Sequence, residues 1–87
     1  MFDSLSIERM VYRAISDTFN IPVSDISPTT EAADVVGWDS VSNSLLLLEI
    51  EEQLGREMPV AELIAAQNVG ALCDAILLAL TQNQRQT

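Results

Sequence analysis

The stretch GWDSVSNSLLLLEIEEQLG, residues 37–55, decides how this chain is read. Gly37 ends a loop, and Asp39 is a residue type favoured at helix N-caps. A long apolar-periodic run from Val41 to Leu54 begins at once, and Gly55 is placed to end it as a C′ residue. The pattern predicts a helix over about Ser40 to Leu54, with Ser40 at its start. A serine there has two uses. It can help cap the helix, or it can carry a phosphate, which the free backbone N–H groups and the positive end of the helix dipole stabilise.

Within that helix Leu46, Leu47, Ile50 and Leu54 share one face and form a core stripe. Val41, Leu45 and Leu48 make a second stripe, rotated away from the first. A helix packed on one side needs only one. The second stripe either packs on the neighbouring loop or short helix, or forms an exposed apolar docking strip beside Ser40, bordered by Glu49 and Glu52.

Working outward, Ile7, Met10, Val11, Ala14, Ile15, Thr18 and Phe19 recur at helical spacing and predict a helix from about Ser4 to Phe19, stopped by Pro22. Residues 20 to 37 show no sustained period and read as a long loop, with Ile21, Val23, Ile26, Val35 and Val36 available to pin it and a turn at Pro28 to Glu31. Pro59 opens a short helix over roughly Val60 to Ala66. Asn68 caps the last helix, Val69 to about Thr81, on a core stripe of Val69, Leu72, Cys73, Ile76 and Leu80. The fold expected is all-α: a small four-helix bundle of three longer helices and one short one. It forms one domain over residues 1–87, with an ordered core of about 4–81 and a frayed polar tail at 82–87.

Composition removes whole classes of function. Four arginines, no lysine and thirteen carboxylates give a net charge of −9, which repels nucleic acid and anionic membranes and favours partners with basic patches. One cysteine and no histidine exclude a disulfide framework, Cys/His zinc sites and any histidine-based triad. Cys73 lies on a core stripe and reads as a buried structural thiol. The Glu49, Glu51, Glu52 cluster lacks calcium-loop spacing and reads as a solvated face, so no metal is expected. Trp38 is either a docking anchor or the cap on one end of the core, and the second reading is favoured. The most apolar run, Val69 to Leu80, contains Asp74 and is too short to span a bilayer; with no leader-like N-terminus, the expectation is a cytoplasmic monomer.

Taken together, these residues resemble the acyl carrier proteins, small acidic bundles that hold 4′-phosphopantetheine on a serine. The family's Asp-Ser-Leu at the head of the second helix is matched by Asp39-Ser40-Val41. Its Glu-Glu, turn and apolar-Pro are matched by Glu51-Glu52, Gly55-Arg56 and Met58-Pro59, and its Thr-Val-Gly start to the last helix by Asn68-Val69-Gly70. The likeness covers roughly residues 4 to 80. It implies Ser40 as the attachment site for 4′-phosphopantetheine, derived from coenzyme A, with Asp39 capping the helix and meeting the phosphopantetheinyl transferase. Val41 would contact the arm and partner enzymes, and Leu46, Leu47, Ile50 and Leu54 would line an interior that shelters the acyl chain.

By the same resemblance the chain is not an enzyme. It presents acyl intermediates as thioesters to loading and transferring enzymes with basic or apolar docking patches. Two departures stand out: Ser42 and Leu45 occupy positions where many family members carry acids, which makes the front of the helix more apolar. Gly37-Trp38 before Asp39-Ser40 is closer to carriers of specialised lipid, polyketide or related pathways. Two other readings remain: a carrier of aminoacyl or peptidyl groups, and a carrier-like interaction module that is never modified.

Overall fold

A computed structural model describes residues 3–85, and the side chains of residues 3–81. Four α-helices follow in order: α1 (Ser4–Phe19), α2 (Ser40–Leu54), α3 (Val60–Ile64) and α4 (Val69–Arg85), and no strand occurs among the described residues. Helix α1 is the hub. It packs on both α2 and α4, while the short α3 bridges α2 to α4.

Helix α1 starts where Asp3 accepts a hydrogen bond from the Ser6 N–H at 2.9 Å. It ends at Asn20, two residues before Pro22, because Asn20 adopts a left-handed conformation (φ 58°) and its N–H returns to the Ser16 carbonyl. Helix α2 has the bounds expected. Helix α3 stops at Ile64 rather than Ala66, and α4 continues to Arg85, one turn past the expected end near Thr81. No proline or glycine stands between Thr81 and Arg85 to end it. Of the tail expected to fray, residues 86–87 lie outside those described.

Ile7, Val11 and Ile15 of α1, Leu46, Leu47, Ile50 and Leu54 of α2, Leu63 of α3, and Val69, Leu72, Cys73, Ile76 and Leu80 of α4 form one buried cluster. Each of the larger side chains contributes about 1.5–3 kcal/mol by leaving water. Glu51 is part of this construction. Its carboxylate accepts a 2.8 Å hydrogen bond from the Met58 N–H, drawing the chain after Gly55 back against α2 so that Met58 is buried.

The long loop contains two 3₁₀ turns, Val23–Asp25 and Ala32–Asp34. Ile26 and Val35 are buried and Ile21 half-buried, as pins should be, but Val23 and Val36 are exposed. The predicted turn lies one residue earlier, at Ser27–Thr30, where the Thr30 N–H reaches the Ser27 carbonyl at 3.1 Å and the Thr30 hydroxyl accepts from the Ser27 N–H at 2.9 Å. The loop then docks on the start of α4. The Val69 N–H donates to the Thr30 carbonyl (2.9 Å) and the Gly70 N–H to the Pro28 carbonyl (2.8 Å), while the Asn68 side chain accepts from the Ala71 N–H (2.8 Å). That anchoring sets the loop beside the head of α2.

Candidate functional site

The head of α2 is built by its own residues. Gly37 takes a positive φ of 91°, which a residue with a Cβ adopts only under strain, and this turns the chain into the helix. Asp39 is the N-cap, its carboxylate accepting from the Ser42 N–H at 2.9 Å. Ser42 answers it: its hydroxyl accepts from the Asp39 N–H (2.8 Å) and donates to the Gly37 carbonyl (2.6 Å), closing a capping box. Hydrogen bonds from the Ser42 backbone and side chain hold the Asp39 carboxyl below its usual value of 3.8. Ser42, where many carriers have an acid, is thus spent on fixing the loop.

Ser40 is left exposed at the first helical position. Among the described residues no hydrogen bond takes up its hydroxyl, and its carbonyl receives the Ser44 hydroxyl at 3.1 Å. Beside it lies a cleft of about 290 Å³ between the head of α2, α3 and the start of α4. Trp38, Leu63, Ile64, Ala66 and Leu72 supply its apolar lining; Thr30, Asn43, Gln67 and Asn68 supply neutral polar groups. Trp38 stacks on Phe19 with ring centroids 5.0 Å apart, and its indole N–H donates to the Asn43 carbonyl oxygen at 3.0 Å. It is half-buried against the core, as the capping reading had it.

The second stripe of α2 is open to solvent: Val41, Leu45 and Leu48 are 70, 58 and 57% exposed. Glu52 is exposed beside them, and Glu49, half-buried, accepts from the Gln53 amide at 2.8 Å. Packing on the loop or on α3 therefore does not account for the stripe. The four residues expected to line an acyl-sheltering interior face the inside of the bundle. Leu46, Leu47, Ile50 and Leu54 are buried in the packed core, and none of them lines the cleft beside Ser40. The open space beside Ser40 is walled by Trp38, Asn68 and Leu72, which the sequence singled out for other reasons, and by Asn43, Leu63, Ile64 and Gln67, which it did not. Asn43 was the one open to discovery: a polar residue one helical turn after Ser40, on the same side of α2.

Residues 9–76 match the family described as the phosphopantetheine attachment site. The chain belongs to that family. This carrier is 37% identical over 62 residues to the acyl carrier protein MbtL of Mycolicibacterium paratuberculosis, covering 71% of this chain and 70% of that protein. It is 36% identical over 62 residues to the proteins of the same name from Mycobacterium bovis and Mycobacterium tuberculosis, covering 71% of this chain and 74% of theirs. It is an acyl carrier protein by family, a carrier and not a catalyst, and its cofactor is covalently attached 4′-phosphopantetheine. The residues present fit that group: an exposed, unengaged serine hydroxyl at a helix start, with a cleft of mixed polarity alongside. No described helix of the carrier is long and apolar enough to cross a membrane.

Proposed function

We propose that Ser40 is the attachment residue, and that this carrier presents acyl intermediates to biosynthetic enzymes of a specialised lipid, polyketide or related pathway. The observation that carries this is the free Ser40 hydroxyl at the head of α2, held out by a capping box that uses Asp39 and Ser42 but not Ser40 itself. The cofactor supplies a terminal thiol for thioester chemistry on a flexible arm. The chain supplies the rest. The α2 N-terminus favours a phosphodiester, an effect of about 0.3–1 kcal/mol at an exposed site. Asp39 and Val41 flank the serine as contacts for the phosphopantetheinyl transferase and the arm.

Val41, Leu45 and Leu48 form the docking strip, with Glu49 and Glu52 at its border for partners that carry apolar or basic patches. Such docking is weak by design, because one carrier must leave each enzyme to reach the next, and tethering replaces diffusion once it docks. Acyl rather than aminoacyl cargo is supported by the relatives, which are named acyl carrier proteins.

Incubation of the full chain with coenzyme A and a broad-range phosphopantetheinyl transferase tests the assignment by intact mass. The expected result is a single cofactor-sized gain in the wild type and none in Ser40→Ala. A wild type that gains no mass, or a Ser40→Ala variant that still does, overturns it.

A further inference from the structure

The cleft beside Ser40 contains one hydrogen bond that fixes more than it joins. The indole N–H of Trp38 can only donate, so the atom of the Asn43 amide facing it at 3.0 Å must be the oxygen. The stack on Phe19 holds the indole in place. With its oxygen turned to the indole, Asn43 has its NH₂ as the end left to offer a donor to the contents of the cleft it lines. A free asparagine could turn either end toward a ligand; this one cannot do so without breaking the bond to Trp38.

The surrounding wall narrows the partner. Among the described residues, Asp39 is the only charged one lining the cleft, and no cation lines it. An anionic group entering there would meet a carboxylate and find no counter-charge. The complement of a neutral wall bearing a fixed donor is a neutral acceptor. We propose that Asn43, oriented by Trp38, is a positioning residue that donates a hydrogen bond to a carbonyl of the group tethered at Ser40, seating a neutral arm or acyl chain in the cleft. This rests on the assignment of Ser40. The carbonyl can belong to an amide of the arm or to the acyl thioester, and the chemistry is the same for both.

The test follows the Asn43 side-chain amide and the Trp38 indole by ¹⁵N-edited NMR in three forms of the full chain: apo, arm-loaded and butyryl-loaded, each verified by intact mass. A shift of the Asn43 NH₂ resonances on arm loading assigns an amide carbonyl of the arm; a shift appearing only on butyrylation assigns the thioester carbonyl. Asn43→Asp keeps the acceptor for Trp38 and removes the donor. It should weaken the cross-relaxation between tethered group and Leu63 and Leu72 methyls about fivefold, the worth of one hydrogen bond. Asn43→Leu, neutral and without a donor, should do the same if charge is not the cause. Asn43 resonances identical in all three forms overturn the proposal, as does undiminished cross-relaxation in both variants. A wild type that never gains the cofactor mass overturns the Ser40 assignment itself and is seen before any spectrum is taken.

Discussion

Helices α2 and α4 both begin with a side chain that caps the third N–H of the helix, and there the likeness ends. At α4 the other early N–H groups are also consumed: those of Val69 and Gly70 go to the loop carbonyls of Thr30 and Pro28. At α2 the box formed by Asp39 and Ser42 closes on itself and leaves Ser40 in the open. An N-terminus that the chain fills is a joint; one that it leaves open is a place for chemistry. The long loop makes the difference, because by docking on α4 it leaves α2 free.

The hardest blow to this arrangement falls on the joint. A Cβ at Gly70 would stand 3.0 Å from the Pro28 carbonyl oxygen and 3.1 Å from the Pro28 Cβ. Gly70→Val should therefore destabilise the fold by roughly 1–3 kcal/mol through forced displacement of the loop, read as a lower urea midpoint. Asn68→Ala removes the α4 cap and should cost about 1 kcal/mol. Ser42→Ala should cost less, because Asp39 still accepts from the backbone at that position; paired urea titrations measure the ordering.

Acid separates the two starts more finely. The Asp39 carboxyl is held below 3.8 in the fold, so its stabilising effect is complete above that unfolded value and is lost as pH falls through the lower folded one. Asn68 does not titrate. Protection of the Ser42 amide, measured against its intrinsic exchange rate at each pH, should fall on acidification below 3.8 while that of Ala71 does not, and Asp39→Asn should remove the contrast. The smallest effect on stability belongs to Leu45→Glu. That exposed position should change stability by less than about 0.5 kcal/mol, yet the charge should weaken docking to a loading enzyme. A large loss of thermal stability instead would place Leu45 in the core.

Much of this was legible in advance for physical reasons. The helices and their core stripes announce themselves by period, and Asp39, Gly55 and Asn68 by their fitness for caps. The loop was less readable, since Val23 and Val36 are as apolar as Ile26 and Val35 and only the folded path separates exposed from buried. The cleft was unreadable for a related cause: Leu63 and Ile64 of α3, Ala66 of the link that follows and Leu72 of α4 share its lining with Ser40, brought there through the α2–α3 turn that Glu51 holds.

Cys73, the chain's one cysteine, is buried on α4, and that burial pushes its thiol up to about 12. At neutral pH it is in effect chemically silent, since the thiolate is the reactive form. A carrier whose cargo rides on sulfur thus keeps its own sulfur out of the exchange. Acyl groups have no second reactive thiol on the same molecule to stray to, and a thiol-directed label applied to the folded protein should count unacylated arms without background from the chain.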